Sequence, residues 1–216
     1  MLFCNQGAIL VKTDIIVVAF DCDGVMFDSR EANRAYYDHL LAHFQLPAMK
    51  PEQLAYVHMH TVDESLAFLM GPKVDLEAVH AYRHRLGYLP FLQYMQMEPG
   101  LVDLLERLRP RFKTAVATNR TDTMAHVLAE NHIEHLFDLV VCALDVTFPK
   151  PHPEPLNKVA DHFSVSPDEV LYVGDSQVDE IAAQAAGMPF VAFRNPGLKA
   201  DHHIRQLSEM AALLGL

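Results

Sequence analysis

The amino-acid sequence predicts an α/β fold with a parallel sheet, and three observations support this prediction. Short apolar segments alternate with helical patterns, as strands and crossover helices do in parallel sheets. Several of these segments end in acidic or polar residues, and open α/β sheets carry their reactive groups at that edge. Residues 30–97 are helical in pattern and form a stretch too long for a connection within a compact domain. We therefore expect a Rossmann-like core made of residues 1–29 and 98–216, with an all-helical cap domain inserted at residues 30–97.

The first strand and the acids that follow it are the most informative feature. Residues 15–20 are all apolar, which predicts a fully buried strand. Asp21 and Asp23 come directly after it, and Gly24 allows a sharp turn that would bring both carboxylates to one cavity. Two carboxylates that close repel each other unless a cation or a shared proton lies between them. A divalent cation with a phosphoryl group is one chemistry that needs this arrangement.

A helical segment is predicted to follow these acids. Asp28 and Glu31 have the spacing of a capping box at its start. The Gly71-Pro72 pair then breaks one helix, and a further helical run extends from about Asp75. Because no strand-like alternation occurs before Met97, the whole insertion is expected to be helical.

The chain is then expected to return to the core. Leucines at helical spacing predict a helix over residues 101–108, and Gly187 is expected to end a helix that follows Asp175. The further predicted strands are residues 114–117, 139–142, 170–173 and 189–193.

Three more motifs accompany the Asp-x-Asp pair. They are Thr-Asn at residues 118–119, Lys-Pro at residues 150–151 and Gly-Asp-x-x-x-Asp at residues 174–179. In this order and spacing the four motifs resemble those of the haloacid dehalogenase superfamily of phosphatases. The resemblance is closest to its phosphoglycolate-phosphatase-like and β-phosphoglucomutase-like members, and it runs from about Val17 to Phe193. This resemblance also implies that the inserted helices form a cap.

The resemblance implies a role for each motif. Asp21 would be the nucleophile that forms an aspartyl-phosphate, and Asp23 would be the general acid and later the base. The expected catalytic residues are Asp21, Asp23, Thr118 and Lys150. The expected ligands of the phosphoryl group or substrate are Thr118, the backbone N–H of Asn119, Lys150 and Arg120. The expected ligands of Mg²⁺ are Asp21, the backbone carbonyl of Asp23, and Asp175, with Asp179 behind them.

Two of these assignments carry further expectations. Asp179 is one helical turn after Asp175, so both carboxylates are expected on one face of a helix. Arg120 either faces the cap or the substrate, or is a solvated arginine.

Three functions are compatible with these motifs. The first is a magnesium-dependent phosphatase that acts on a small phosphorylated metabolite, and the second is a β-phosphoglucomutase-like mutase. The third is a phospho-accepting receiver domain, which fits poorly because such domains lack both the cap and an acid equivalent to Asp23. Dehalogenases and phosphonate hydrolases of the superfamily are disfavoured because they lack an acid equivalent to Asp23, which this chain has.

The substrate is not identified by the sequence. Phosphoglycolate is one possibility, with sugar phosphates and nucleotides close behind. The cap residues proposed for substrate contact, by charge alone, are His58, His60, Lys73, Arg83, His84 and Arg85.

Composition excludes several other functions. The net charge of −11 argues against an electrostatic binder of nucleic acid or of an anionic membrane. The N-terminal residues lack the pattern of a signal peptide, and no apolar stretch approaches membrane-span length. We therefore expect a soluble, cytoplasmic protein, either a monomer or a homodimer.

Cysteine and histidine usage adds no second site to these expectations. Cys4, Cys22 and Cys142 fit neither a disulfide framework nor a zinc site, and Cys22 is expected to be a packing residue. The pairs His39/His43 and His80/His84 have i, i+4 spacing, but solvated or partly buried imidazoles are favoured over a second metal site.

Overall fold

The computed structural model describes residues 14–216, so Cys4 and the N-terminal segment lie outside the described residues. The strands are β1 (Val17–Phe20), β2 (Phe27–Asp28), β3 (Gln96–Met97), β4 (Lys113–Ala117), β5 (Leu139–Val141), β6 (Val170–Gly174), β7 (Phe190–Phe193) and β8 (His202–Ile204). Six of them form one parallel sheet in the order β5-β4-β1-β6-β7-β8, and β2 pairs with β3 in a separate antiparallel ribbon. The predicted α/β fold is confirmed.

Helices follow most of the strands. They are α1 (Arg30–His43), α2 (Pro51–Met59), α3 (Val62–Met70), α4 (Leu76–Leu86), α5 (Leu101–Leu108), α6 (Met124–Glu130), α7 (Glu154–Phe163), α8 (Gln177–Ala186) and α9 (Glu209–Leu214). Short 3₁₀ helices span Leu89–Tyr94, Glu134–Leu136, Ala143–Asp145 and Pro167–Glu169. Within residues 14–216, no helix combines the length and the apolar character needed to cross a bilayer.

Both faces of the sheet are covered. Val18 and Phe20 of β1 pack in an apolar cluster with residues of α5, α6 and α9, while Val17 and Ala19 pack on the other face with residues of α7 and α8. Burial on both faces explains why these strands are continuous apolar runs in the sequence. Ile16 departs from the prediction: its side chain is 40% exposed, because the strand begins only at Val17.

The inserted helices have an apolar cluster of their own. Residues of α1 to α4 and of the 3₁₀ helix Leu89–Tyr94 form it, with Leu40 and Leu66 completely buried. A separate core supports the proposed division into a catalytic core and a cap. We refer to residues 30–94 as the insertion.

The prediction for the ends of the insertion was partly wrong. Asp28 does not cap α1: its Oδ1 accepts a hydrogen bond from the backbone N–H of Arg30 (3.1 Å), and Ser29 is the N-cap residue. Glu31 instead pairs with Arg34 (3.5 Å). The helical pattern also stops before Met97, since β3 pairs Met97 with Phe27 at the junction with the core.

Candidate active site

The carboxyl ends of three adjacent strands meet at one edge of the sheet. Asp21 follows β1, Thr118 follows β4 and Asp175 follows β6, while the loop before α7 brings Lys150 to the same place. Asp21, Thr118 and Lys150 line a pocket that is also lined by residues of the insertion, whereas Asp175 lines an adjoining pocket. The motifs that are far apart in the sequence are therefore brought together at one site.

Lys150 is the centre of a buried polar network. Its Nζ lies 2.8 Å from Asp21 Oδ1 and 2.6 Å from Asp179 Oδ1, and it also donates to the hydroxyl of Tyr172 over 2.8 Å. The contacts with Asp179 and Tyr172 are hydrogen bonds, whereas the contact with Asp21 is an ion pair, and Asp21 Oδ1 has no hydrogen-bond partner within residues 14–216. Burial opposes the charge on Lys150, but Asp179 and Asp21 outweigh it and raise the pKa of Lys150. Tyr172 was not predicted to belong to the site, because it lies in an apolar strand and its neighbours in the sequence indicate a core residue.

Both oxygens of Asp179 are already engaged. Oδ1 accepts from Lys150 and from the Tyr172 hydroxyl (2.8 Å), and Oδ2 accepts from the backbone N–H (3.1 Å) and the hydroxyl of Ser176. Burial works against ionisation of Asp179, yet these donors lower its pKa, with Lys150 the largest contributor among them. A carboxylate held in this way anchors Lys150, which agrees with the position proposed for it behind the metal ligands.

Asp175 and Asp179 do not share a helix face as predicted. α8 begins at Gln177, so Asp175 lies in the turn before the helix and only Asp179 lies in its first turn. The turn nevertheless brings Asp175 to the same cluster. Gly174 makes this possible, because a Cβ added there would lie 2.4 Å from the Cβ of Asp179.

Asp21, Asp175 and Asp179 form an acidic cluster in which one ligand atom of each lies within 4.8 Å of the others. Burial, with the neighbouring charges of Asp179 and Asp23, raises the pKa of Asp21 to about 7 although Lys150 opposes this. The pKa of Asp175 is also raised well above its usual range, by burial first and by Asp179 and Asp21 next. Repulsion of this kind is relieved when a cation is bound between the oxygens.

The shape of the turn after β1 fits such a cation. Gly24 has a φ of 85°, and a Cβ at this position would lie 2.0 Å from Asp175 Oδ2. The glycine therefore lets the loop that carries Asp23 approach Asp175 closely. Carboxylate and carbonyl oxygens are the ligands that Mg²⁺ prefers, so Asp21, Asp175 and the backbone carbonyl of Asp23 fit this ion.

The Thr-Asn motif supports the Lys150 loop. The Asn119 side chain donates from Nδ2 to the carbonyl of Lys150 (2.8 Å) and accepts at Oδ1 from the backbone N–H of Lys150 (3.0 Å). Thr118 is 1% exposed, and its hydroxyl accepts from the backbone N–H of Arg120 over 3.2 Å. These bonds fix the position of the two residues predicted to bind the phosphoryl group.

Arg120 is buried, which excludes the solvated alternative. Its guanidinium forms two hydrogen bonds of 2.8 Å with Asp23, and it lies 5.1 Å above the ring of Tyr88 in the insertion. Burial opposes ionisation of Asp23, but Arg120 outweighs it and lowers the pKa of Asp23. The position of Arg120 directly after Asn119 indicated that it could face the cap or the substrate. Nothing in the sequence indicated that Arg120 pairs with Asp23.

Only some of the insertion residues that were proposed by charge line the pocket. His58, His60 and Arg83 line it, while Lys73, His84 and Arg85 are not among the lining residues. Burial lowers the pKa of the His58 imidazole, and the charge of Asp23 partly offsets this. Arg83 has a side chain that is 14% exposed and has a weak acidic partner, Asp63, at 3.9 Å.

Aromatic residues of the insertion complete the pocket. Tyr36 packs edge-to-face against Tyr37 and Tyr88, with ring centroids 5.1 and 5.0 Å apart. All three line the pocket.

The predicted histidine pairs take part in aromatic and polar contacts. His43 stacks on the ring of Tyr82 at 3.5 Å, and His39 Nε2 lies 3.0 Å from the Tyr82 hydroxyl. His80 contacts Arg83. Cys22 is completely buried, and the pKa of its thiol is raised by burial and by Asp23, as expected of a packing residue.

Similarity to known proteins agrees with this arrangement. Residues 18–193 match the family described as haloacid dehalogenase-like hydrolase. The chain belongs to this family, and it is an enzyme, a hydrolase of the phosphatase type.

Individual relatives cover most of the chain. The phosphoglycolate phosphatase of Shigella boydii serotype 4 (strain Sb227) is 30% identical over 203 residues, which cover 82% of this chain and 81% of that protein. The pyrophosphatase PpaX of Bacillus pumilus (strain SAFR-032) is 28% identical over 220 residues, covering 94% and 98%. A crystal structure of a haloacid dehalogenase-superfamily hydrolase of subfamily IA, variant 1, from Geobacter sulfurreducens PCA has 38% identity and a TM-score of 0.83, covering 93% of this chain and all of that one.

Proposed function

We propose that this protein is a magnesium-dependent phosphatase that hydrolyses a small phosphorylated metabolite through an aspartyl-phosphate on Asp21. The observation that carries the proposal is the convergence of Asp21, Lys150 and Asp175 at one edge of the sheet, with Lys150 Nζ 2.8 Å from Asp21 and one ligand atom each of Asp21 and Asp175 within 4.8 Å of one another. An anionic substrate needs local positive charge in a chain of net charge −11, and Lys150 with a divalent cation would supply it.

The first step would be attack of Asp21 on phosphorus. The ammonium group of Lys150 lies 2.8 Å from Asp21 Oδ1 and opposes the rise in the pKa of Asp21, and together with a bound cation it would keep the attacking carboxylate ionised. The hydroxyl of Thr118 and the backbone N–H of Asn119 would donate to the phosphoryl oxygens, where negative charge increases in the transition state. Mg²⁺ held by Asp21, Asp175 and the carbonyl of Asp23 would neutralise phosphoryl charge.

Asp23 is proposed to act in both halves of the reaction. It would enter the reaction protonated, although Arg120 lowers its pKa, and would give this proton to the leaving oxygen as the phosphorus–oxygen bond breaks. The resulting carboxylate would then take a proton from the water that hydrolyses the aspartyl-phosphate, which restores the protonated form. Its position two residues after Asp21, at the border of the same pocket, supports this assignment.

The insertion is proposed to act as a cap that selects the leaving group. His58, His60 and Arg83 line the pocket together with Lys150. They would contact the part of the substrate that departs, whereas the core would contact the phosphoryl group. Closing the pocket would also exclude bulk water.

The substrate class rests on the relatives. A phosphoglycolate phosphatase at 30% identity supports a small phosphorylated acid, and the pyrophosphatase PpaX at 28% identity makes inorganic pyrophosphate a second compound to test. A cytoplasmic location and a monomeric or homodimeric state are also predictions that these relatives leave open.

Phosphate release from a panel of metabolites tests the proposal. The panel contains phosphoglycolate, pyrophosphate, sugar phosphates and nucleotides, each assayed with Mg²⁺ and with or without a sugar bisphosphate. A phosphatase releases phosphate without the bisphosphate. Isomerisation of a sugar phosphate that depends on the bisphosphate would instead identify the mutase alternative, and absence of turnover on the whole panel would contradict both.

A further inference from the structure

Asp23 is held by Arg120 through both oxygens of its carboxylate. Nε of Arg120 donates to Oδ2 and Nη2 donates to Oδ1, each over 2.8 Å. The exposed fraction is 18% for the Asp23 side chain and 7% for that of Arg120. Because a guanidinium group is planar, two parallel hydrogen bonds fix the plane of the carboxylate as well as its position.

The guanidinium group is itself fixed from other directions. Nη1 donates to the hydroxyl of Thr123 over 3.1 Å, and Nη2 also lies 3.4 Å from Sδ of Met95. The Tyr88 ring packs against it at 5.1 Å. Arg120 is thus held both by its own loop and by residues that follow α4, so its side chain has little freedom to turn away from Asp23.

Tyr88 connects this contact to both ends of the insertion. Its ring contacts Arg120 shortly after α4 ends, and its hydroxyl donates to Oδ1 of Asn33 in α1 over 2.7 Å. The segments that enter and leave the insertion therefore meet beside Arg120.

We propose that Arg120 is the positioning residue for Asp23, and that it places the Asp23 carboxylate correctly only when the insertion packs against the core. This inference rests on the proposed phosphatase function. During the reaction one Asp23 oxygen would remain on the guanidinium, while the other would give up its hydrogen bond to Arg120 and carry the proton to the leaving oxygen. Arg120 then acts through Asp23 and contacts no reacting atom.

Leaving-group dependence tests the proposal. For each variant, kcat/KM is measured with Mg²⁺ on p-nitrophenyl phosphate, whose leaving group departs without much protonation, and on glycerol 2-phosphate, whose alkoxide needs a proton. kcat/KM reports only steps up to formation of the aspartyl-phosphate, so later hydrolysis does not affect it. Arg120→Ala should lower kcat/KM about 10²-fold on glycerol 2-phosphate and far less on p-nitrophenyl phosphate.

Rescue and partial variants separate positioning from folding. Millimolar methylguanidinium should restore part of the glycerol 2-phosphate activity of Arg120→Ala, and Arg120→Lys should be intermediate because it lacks the planar fork. Tyr88→Leu removes the ring beside Arg120 and should give a smaller loss of the same kind. If Arg120→Ala does not fold, Arg120→Lys and Tyr88→Leu provide the test.

Arg194→Ala is the matched control. Arg194 forms a comparable two-bond pair with the buried carboxylate of Glu98 in the adjoining pocket, and within residues 14–216 Asp23 is not among its hydrogen-bond partners. Its removal should lower both kcat/KM values by the same factor. Equal losses on both esters for Arg120→Ala, or no loss, would overturn the positioning role. Failure of the wild-type enzyme to cleave either ester or any compound of the metabolite panel would instead contradict the proposed function, so the two failures are distinguishable.

Discussion

At Asp21, burial and the need for an ionised nucleophile act against each other. Asp21 is 7% exposed and lies near the acids Asp179 and Asp23. Burial and these two acids raise the pKa of Asp21 to about 7, although Lys150 lowers it. A group with this pKa is half protonated at neutral pH and would be a poor nucleophile. We therefore expect Asp21 to depend on a cation bound by the acidic cluster.

The first prediction concerns the stability of the metal-free protein. The folded-state pKa of Asp21 is about 7 and its ordinary value is 3.8, so protonated Asp21 favours the folded state. That stability is complete below about pH 4 and is lost as the pH rises through about 7. In chelator, the Tm of the wild type should fall across this range, and Asp21→Asn should flatten this dependence.

Asp161→Asn, at an exposed position of α7, is the control for this experiment. It should leave the pH dependence of Tm as it is in the wild type. A wild-type slope retained in full by Asp21→Asn would show that Asp21 is not the group responsible. Turnover of Asp21→Asn, measured on the same preparations, should be abolished.

The second prediction concerns removal of the metal. Excess chelator should abolish phosphate release, and Mg²⁺ should restore it. Ca²⁺ should inhibit, because its larger and more flexible coordination can draw both Asp21 oxygens onto the ion. Mg²⁺ should also raise the Tm of the wild type, and less so in Asp175→Asn, which provides a readout independent of activity. Full activity in chelator would contradict the metal assignment.

Among the elements, β6 contributes most to the site. Tyr172 points its hydroxyl between Lys150 and Asp179 and lies close enough to the carbonyl of Ala117 in β4 to donate to it (3.1 Å). Gly174, at the end of the strand, leaves room for Asp179. This strand therefore supports the catalytic lysine as well as the sheet.

The third prediction is that Tyr172→Phe weakens this support. Loss of the hydroxyl removes one acceptor for Lys150 and one donor to Asp179, at a cost of about 1–3 kcal/mol in the free energy of unfolding. Turnover should also fall, because Lys150 is less well fixed. Urea unfolding and kcat/KM on p-nitrophenyl phosphate measure the two effects.

Tyr94→Phe is a suitable control, since Tyr94 is 47% exposed and lies in the 3₁₀ helix Leu89–Tyr94. This substitution should change neither the free energy of unfolding nor kcat/KM on p-nitrophenyl phosphate. Unchanged stability and turnover in Tyr172→Phe would mean that Asp179 and Asp21 alone hold the lysine.

The elements that the sequence predicted are those buried on both faces. The five predicted core strands are present because each is a short apolar run with helices on either side. β8 was missed because His202 and His203 are polar and only Ile204 is buried. β2 and β3 have two residues each, which is too short for periodicity to reveal.

The residues of the candidate site also separate into predicted and unpredicted features. Residues that belong to the motifs lie at the predicted carboxyl edge of the sheet, whereas contacts between distant segments could not be predicted. The pair of Arg120 with Asp23 joins residues 97 apart in the sequence, and it depends on how the insertion packs. Tyr172 was likewise indistinguishable from a core residue of β6.

On the scale of the whole molecule, two parts of the chain divide the pocket. Core residues such as Asp21, Thr118 and Lys150 line it, and so do residues of the insertion such as His58 and Arg83. Substitutions in the insertion should therefore affect which substrate is used more than the chemistry itself.

The fourth prediction tests this division with charge-matched variants. Arg83→Gln removes an arginine that lines the pocket, and Arg85→Gln removes one that does not. Arg83→Gln should lower kcat/KM for the best metabolite by about 1.5–3 kcal/mol in transition-state stabilisation and leave p-nitrophenyl phosphate little changed. Arg85→Gln should have no effect on either. Equal losses on both substrates for Arg83→Gln would assign Arg83 to the chemistry or the fold.

The short ribbon of β2 and β3 has a consequence for how such an enzyme can change. Phe27 pairs with Met97 and Asp28 with Gln96, so the chain leaves the core and re-enters it through neighbouring strands, about 4.8 Å apart. Any segment whose ends meet that spacing can be joined at the same two points without altering the sheet. We therefore expect the core residues that cleave the ester and the insertion that selects the ester to be able to change independently during evolution.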